Sequence, residues 1–178
     1  MTGIPDLLYY INIKKKAGEI RCNSSCYALS MDKIDIRLIE LLQENGRCSL
    51  KHLAEEVFLS TPAVSSRIAR MEEEGIITGY TAMVNPHKLG YNIKAFINLE
   101  MTPKQKPEFY PFIEACPNVL ECDCVTGKYS MLIKVAFHTT MELDAFIGAL
   151  QKFGNTETQI VFSTPVENRG IKDLGSHL

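Results

Sequence analysis

The sequence lacks tryptophan, and its four histidines, His52, His87, His138 and His177, are scattered along 178 residues. No nucleophile–base pair, glycine-rich phosphate loop or metal-ligand spacing accompanies them. The six cysteines form no CxxC pair with a nearby histidine. No apolar run approaches the length of a transmembrane helix. These absences argue against an enzyme, a metal site, a bound cofactor and a membrane span.

The cysteines fit a reducing environment better than a disulfide framework, because 46% of the residues are hydrophobic and can build real cores. Cys122 and Cys124 are two apart, so on a strand they would share one face as small core residues. We therefore expect a cytoplasmic protein of one or two domains.

The net charge of −2 shows that basic residues are not in excess, so the composition alone does not indicate a nucleic-acid partner. Residues 31–90 carry seven basic and nine acidic side chains, and the acids gather at 55–56 and 72–74. If this half of the chain binds DNA, one copy would bind weakly. Several copies would be needed to accumulate phosphate contacts.

Residues 49–75 have the pattern of two short helices joined by a tight turn. Ser49 is a suitable N-cap for the first helix, and Leu50, Leu53, Ala54 and Val57 repeat at helical spacing. Residues 58–60 break that pattern. Together these features predict a helix over residues 50–57 that ends in a turn.

The second helix of this pair begins after Ser60, a suitable N-cap, and Pro62 occupies its first turn. Its buried face is predicted to contain Val64, Ile68 and Met71, and Gly75 ends it. The opposite face combines small residues, hydroxyls and two arginines, a surface that fits a DNA major groove. The predicted DNA-contacting residues are Ser60, Thr61, Pro62, Ala63, Ser65, Ser66, Arg67 and Arg70.

Arg70 is predicted to point outwards, so that Arg70→Ala would weaken DNA binding and leave folding unchanged. The alternative interpretation of residues 49–75 is a helical hairpin with a solvated face, which would bind no DNA.

The chain divides into four predicted segments. Residues 1–30 form an N-terminal extension, either poorly ordered or the product of a start codon assigned too early, and residues 169–178 form a C-terminal tail. Residues 31–88 are predicted to be a winged helix-turn-helix: an amphipathic helix over 32–44, the two helices above, and an extended wing over 76–84. Ile34, Leu38, Leu41 and Leu42 form the buried stripe of the first helix, and Asp32 and Asp35 lie near its positive N-terminal end.

Residues 89–168 are predicted to be a ferredoxin-like domain of the α+β class, with a four-stranded antiparallel sheet and both helices on one face. Strands are predicted over 91–101, 119–125, 129–137 and 156–164, with a helix near 109–116 and another after a Thr139–Glu142 capping box. In the first strand one face alternates with the other and consists of Ile93, Ala95, Ile97, Leu99 and Met101. Phe96 stands among polar residues on the other sheet face, which indicates that a partner subunit covers that face.

With these elements in place, the chain resembles the Lrp/AsnC family of leucine-responsive and feast/famine regulators. Four segments carry the resemblance: MDKIDIRLIELLQENGR, LSTPAVSSRIARMEEEGII, GYTAMVNPHKLG and VTGKYSMLIKV. The resemblance implies a transcription factor that binds double-stranded DNA, forms homodimers through the ferredoxin-like domain, and assembles further into tetramers or octamers. It also implies an amino-acid effector bound between subunits.

The resemblance places the effector pocket at Gly127, Lys128, Tyr129, Ser130, Thr140, Gln159, Ile160 and Val161. Family members with amino-acid responses commonly carry acids where this chain has Lys128 and Ser130. Lys128 would instead meet a carboxylate. Two alternatives stay open: an architectural DNA-binding protein that needs no effector, and a sirohaem-decarboxylase-like enzyme on the same two-domain plan, against which the scattered histidines argue.

Overall fold

The computed structural model describes residues 31–171 and Leu174. The predicted N-terminal extension and most of the predicted tail lie outside the described residues. Backbone proximity divides the described chain between Ile77 and Thr78 into two compact units. This division comes before the predicted boundary near residue 88. The reason is that a 3-10 helix, His87–Leu89, leads into Gly90, whose carbonyl oxygen lies 2.8 Å from Nδ1 of His138 in the second unit.

The first unit contains the three predicted helices, α1 (Lys33–Glu44), α2 (Leu50–Glu56) and α3 (Thr61–Glu73). The helical periodicity correctly identified most of their common core, which comprises Leu38, Leu41, Leu53, Ala54, Val57, Val64, Ile68 and Met71. Two details differ. Ile36 is buried whereas Ile34 and Leu42 are only partly so, and Leu50 at the start of α2 is 40% exposed.

Helices α2 and α3 end with the same backbone hydrogen-bond pattern. The Leu59 N–H donates to the Ala54 carbonyl at 3.0 Å, and the Ile76 N–H donates to the Met71 carbonyl at 2.9 Å. This six-to-one bond requires a left-handed residue just before its donor, usually glycine. That residue is Gly75 (φ 71°) after α3 and Phe58 (φ 54°) after α2. Phe58 is the only non-glycine residue with a positive φ in the described part of the chain.

The segment predicted as a β wing, residues 76–84, contains no strand in the structure. Ile76 and Ile77 are half-buried and pack against the three-helix core. A strand needs a neighbouring backbone to pair with, and the four strands found in the described chain pair only with one another.

The second unit has the predicted ferredoxin-like topology. Its strands are β1 (Ile93–Glu100), β2 (Val119–Cys124), β3 (Met131–Phe137) and β4 (Asn155–Ile160), arranged in the order β2-β3-β1-β4 with antiparallel pairing throughout. Helices α4 (Lys106–Glu114) and α5 (Thr140–Leu150) connect them. Pro111 lies inside α4, five residues after the helix begins at Lys106.

The alternation of β1 correctly predicts the core of the second unit. Ala95, Ile97 and Leu99 are fully buried and join residues of β3 and both helices in one cluster. The prediction for the two cysteines of β2 is half wrong: Cys122 packs against this core, but Cys124 is exposed. Both cysteines lie beyond the register shift between Val119 and Glu121 and pair in regular register with Ile133 and Met131, so the predicted common face holds. Cys124 is exposed because it is the last residue of β2, an edge strand of the sheet.

Helix α5 begins at a half-formed capping box. The Thr139 hydroxyl accepts a hydrogen bond from the Glu142 N–H at 3.2 Å, as predicted. The Glu142 carboxylate, however, accepts from the His138 N–H at 3.1 Å rather than from the N-cap residue itself. These two hydrogen bonds therefore fix both the first turn of α5 and His138, the residue before the N-cap.

Candidate functional site

The N-terminal end of α3 is open to solvent. Ser60 is its N-cap, with its hydroxyl accepting a hydrogen bond from the Ala63 N–H at 3.4 Å. Among the predicted DNA-contacting residues, five are exposed and available to a ligand: Ser60, Thr61, Pro62, Ser65 and Ser66. Ala63 is half-buried. This end of the helix therefore presents hydroxyl and small apolar groups without bulky side chains in front of them.

The two arginines of α3 do not point freely outwards. Arg67 Nη1 lies 2.8 Å from Asp32 Oδ2 and 2.8 Å from Asp35 Oδ1, and Arg70 Nη2 lies 2.6 Å from Asp35 Oδ2. Asp35 is on α1 and is only 1% exposed. The sequence-based expectation that Arg70→Ala would leave folding unchanged is therefore corrected, because this substitution would remove a partner from a buried carboxylate.

Asp35 is held in its charged form by these contacts. Burial acts to raise its pKa, but the hydrogen bond from the Asp32 N–H and those from Arg67 and Arg70 outweigh burial and lower the pKa below its ordinary value. The pKa of Asp32 is also lowered, first by its bond from the Asp35 N–H. The two carboxylates and two guanidinium groups thus form one charge cluster that joins α1 to α3.

The cluster changes the character of the predicted DNA-contacting surface. With Arg67 and Arg70 paired to aspartates, the exposed polar side chains in the first two turns of α3 are the hydroxyl groups of Thr61, Ser65 and Ser66. This part of the helix therefore offers neutral hydrogen-bonding groups. No sequence pattern indicates this cluster, since the position of Asp35 near a helix N-terminus is favourable without any tertiary partner.

A cavity of about 460 Å³ lies at the end of the sheet where β1 ends and β3 and β4 begin. Of the predicted effector residues, only Lys128 and Ser130 line it. The other lining residues were not predicted: Glu100, Met101, Thr102, Gln105, Gly154 and Asn155. Glu100 could have been found from its place at the polar end of the alternating β1 pattern, beside the turn that holds Lys128.

Backbone contacts fix the wall of this cavity. The Ser130 hydroxyl donates to the Met101 carbonyl at 2.8 Å and accepts from the Met101 N–H at 3.2 Å. Gly154 (φ 153°) passes so close to β1 that an added Cβ would overlap the Glu100 carbonyl oxygen and lie 2.9 Å from its carbon. Ser130 is therefore engaged in joining β1 to β3, and the charged groups of the cavity come from Glu100 and Lys128.

Lys128 and Tyr129 form a surface network with β4. The Tyr129 hydroxyl donates to a carboxylate oxygen of Glu157, and Lys128 Nζ lies 3.3 Å from that hydroxyl and 4.9 Å from the ring centroid. The hydrogen bond to Tyr129 raises the pKa of Lys128, and the bond from Tyr129 lowers the pKa of Glu157. Tyr129 thus positions Lys128 at the rim of the cavity.

The remaining predicted effector residues lie elsewhere on the sheet. Thr140 follows the end of β3, where Phe137 pairs with Ile93 at the opposite end of β1 from the cavity. Ile160 pairs with Ala95, also away from Glu100. A single copy of the chain therefore does not bring Thr140 or residues 159–161 together with Lys128.

The described part of the chain has no other arrangement that indicates chemistry. It contains no group of three or more metal-ligating side chains. Nδ1 of His138 lies within hydrogen-bond distance of the Gly90 carbonyl oxygen, and the His138 ring stacks on Tyr91 with ring centroids 4.2 Å apart. Burial raises the pKa of the Cys122 thiol to about 11, which keeps it protonated and unreactive. None of the helices within residues 31–171 is long and apolar enough to cross a membrane.

Comparison with known protein families gives two matches along the chain. Residues 31–78 match the model of a winged helix-turn-helix DNA-binding domain, and residues 94–171 match that of the Lrp/AsnC ligand binding domain. These matches correspond to the two structural units.

Individual proteins give the same result. The chain is 33% identical over 140 residues to the HTH-type transcriptional regulator FL11 of Pyrococcus furiosus, covering 77% of this chain and 93% of FL11. It is 34% identical over 132 residues to LrpA of Bacillus subtilis, covering 74% of this chain and 97% of LrpA. The feast or famine regulatory protein from M. tuberculosis, solved in complex with L-methionine, superimposes with a TM-score of 0.71 at 29% identity, covering 79% of this chain and 97% of that one.

Proposed function

Because this chain belongs to the Lrp/AsnC family of DNA-binding transcriptional regulators, we propose that it reads DNA with the exposed N-terminal end of α3 while a zwitterionic metabolite in the Glu100–Lys128 cavity modulates it. The observation that carries this proposal is the presence in one chain of an open helix-turn-helix and a cavity lined by charges of both signs. The relatives are named as regulators, not enzymes. Since its DNA partner lies there, we place the protein in the cytoplasm.

The DNA contact is proposed to centre on Ser60, Thr61, Pro62, Ala63, Ser65 and Ser66. Recognition helices of this kind place their N-terminal residues against base edges, and this is the end of α3 that is accessible. Arg67 and Arg70 would contact DNA only by leaving Asp35, so they are proposed to orient α3 first and to reach phosphates second.

The DNA proposal is tested with duplexes selected from a random library by the full-length protein. The double variant with Ser65→Ala and Ser66→Ala should bind the selected duplex about tenfold more weakly, since two hydrogen-bonding groups are lost. Ser163→Ala is the matched control, because Ser163 is exposed and lies outside the helix-turn-helix. Equal binding by the double variant and the control would contradict the proposed docking of α3.

We propose that a second copy covers the sheet face that the helices leave open. Both helices pack on the face containing Ala95, Ile97 and Leu99, so the alternate residues of β1 face the other way. There Phe96 lies between its register partners Lys134 on β3 and Gln159 on β4. A partly buried aromatic residue on a face without helices is what a dimer interface would cover.

Sedimentation velocity tests the dimer. Phe96→Lys places a charge at the centre of the proposed interface and should yield a monomer at concentrations where the wild type is dimeric or larger. Leu120→Lys is the control, since Leu120 is 52% exposed on the edge strand β2. Further assembly to tetramers or octamers would multiply weak DNA contacts into useful affinity.

The effector is proposed to be a free amino acid. Its carboxylate would meet Lys128 and its ammonium would meet Glu100, since hydrogen bonds between opposite charges are stronger than neutral ones. The M. tuberculosis relative solved with L-methionine supports this choice of ligand. The carboxylates that amino-acid-responsive relatives carry after the glycine are replaced here, and Glu100 offers the negative charge that Lys128 and Ser130 do not.

A thermal-shift screen of the full-length protein against the twenty amino acids tests the effector, because a ligand that binds only the folded state raises its Tm. One or a few amino acids should raise the Tm of the wild type and of Lys152→Ala, an exposed control, but not of Lys128→Ala. A flat response to all twenty would favour the alternative, a DNA-binding protein controlled by its own concentration.

A further inference from the structure

Phe58 lies in the turn between α2 and α3, two residues before the Ser60 N-cap, and is 93% exposed. Its φ of 54° is the left-handed conformation that the closing hydrogen bonds of α2 require. In this conformation Cβ crowds the backbone, which strains most residues other than glycine and asparagine. The chain thus has a large apolar side chain at a position where its Cβ strains the backbone and its ring remains in water.

The end of α3 shows that the fold does not need such a side chain. The same hydrogen-bond pattern occurs there with Gly75 at the left-handed position. Glycine at position 58 would relieve the strain and lose almost no buried apolar surface, because so little of Phe58 is buried. A residue kept in a strained conformation indicates a role beyond stability, and the exposure of the ring places that role outside this chain.

The position of Phe58 points to DNA as the group that covers the ring. In helix-turn-helix proteins the start of the recognition helix approaches base edges, and Phe58 lies two residues before the N-cap of that helix. The neighbouring exposed side chains include the apolar Pro62, while the arginines of α3 are paired with Asp35. The apolar group that a major groove offers is the thymine methyl.

We propose that Phe58 contacts a thymine methyl group in the major groove and is thereby a specificity-determining residue of this regulator. This inference rests on the proposed docking of α3. It adds to that docking an aromatic contact from the turn, and it predicts that one position of the bound DNA sequence requires thymine for its methyl group.

The first test separates stability from binding with two variants of the full-length protein. Phe58→Gly removes the ring and the strain, so its Tm should rise by about 2–5 °C. Phe58→Asn removes the ring but keeps a residue that tolerates the left-handed conformation. Both should bind a duplex selected by the wild type about four- to fifteenfold more weakly, the effect expected for losing one or two buried methyl-sized contacts.

The second test removes the methyl group from the DNA. Replacing each thymine of the selected duplex in turn by deoxyuridine should weaken wild-type binding at one position per half-site by a similar factor. At that position the Phe58 variants should show no further loss, as expected for two halves of one contact. Phe162→Asn, a 99% exposed phenylalanine of the second unit, is the control and should leave DNA affinity unchanged.

Three results would overturn the proposal. Wild-type affinity in Phe58→Asn would show that the ring does not contact DNA. A loss of affinity that is the same with thymine and uracil at every position would exclude the methyl contact. A change of sedimentation in both Phe58 variants with unchanged DNA affinity would show that a second copy of the chain covers the ring. Failure of the wild type to select any duplex would overturn the DNA-binding function itself, which is a separate and distinguishable outcome.

Discussion

The replacement Asp35→Asn tests the charge cluster that joins α1 to α3. Asp35 is 1% exposed and accepts hydrogen bonds from Arg67 at 2.8 Å and Arg70 at 2.6 Å. Removing the charge of a buried pair costs about 3–5 kcal/mol. Here the arginine side chains are 29% and 36% exposed and regain water, and the Asn oxygen still accepts from the Asp32 N–H. We therefore expect a loss of about 2–3 kcal/mol in the free energy of unfolding of the first unit.

Because the chain has no tryptophan, hydrogen exchange with mass spectrometry is the suitable assay. Peptides covering α1 and α3 should exchange faster in Asp35→Asn by the factor that corresponds to this free energy, while peptides covering β1 and β3 should not change. Asp144→Asn is the matched control, since Asp144 is exposed on α5 and its replacement should change stability by less than about 0.5 kcal/mol.

The same variant has a second expected effect, on DNA binding. The substitution removes the charge that Arg67 and Arg70 share, so both guanidinium groups can turn towards phosphates more easily, although Arg67 keeps Asp32 as a partner. A plot of the logarithm of the binding constant against the logarithm of salt concentration should steepen by about one unit per new phosphate contact. Unchanged exchange in α1 and α3, together with an unchanged salt dependence, would refute the reasoning that the aspartates hold these arginines.

Further predictions concern two glycines of the second unit, the N-cap of α3 and the acid stability of the first unit. Gly154→Ala should destabilise the second unit by about 2–4 kcal/mol, since its Cβ would overlap the Glu100 carbonyl. Gly148→Ala, with nothing within 4 Å of the new methyl on α5, should stabilise it by about 0.5–1 kcal/mol, and urea denaturation followed by circular dichroism distinguishes the two signs. Ser60→Ala should cost about 1 kcal/mol and speed exchange in the first turn of α3, because the N-cap hydrogen bond is lost; unchanged exchange there would exclude the cap. Because the folded-state pKa of Asp35 is lowered, its stabilisation is complete above the ordinary aspartate pKa near 4 and is lost as pH falls through the folded value. Acid should therefore destabilise the first unit of the wild type, and a stability profile equally steep in Asp35→Asn would contradict this.

The helices and strands could be predicted because their side chains repeat with the period of the backbone. In β1 the alternation identified the buried residues Ala95, Ile97 and Leu99, and in α3 the spacing identified Val64 and Ile68. Periodicity reports the direction of Cβ from the element axis. The burial of a core residue depends on the direction of Cβ alone, so it can be predicted from the sequence.

The roles of other residues could not be predicted from the sequence, because they depend on contacts with other elements of the fold. Arg70 has a long side chain whose guanidinium reaches a carboxylate on α1, 35 residues earlier in the chain. Phe58 adopts a conformation imposed by the closing hydrogen bonds of α2, which no local propensity of phenylalanine indicates. Glu100 lines the cavity only because β1 lies beside β3 and β4 in the sheet.

The link between α1 and α3 also has an evolutionary consequence. Positions 32, 35, 67 and 70 share one set of charges, and a change of sign at any of them leaves an uncompensated partner at another. A lineage that acquires a new DNA sequence preference by replacing Arg67 or Arg70 must therefore also alter the aspartates of α1. Among descendants of this regulator, these four positions should change together, so the first helix carries a record of changes in DNA preference although it is not the helix that reads the DNA.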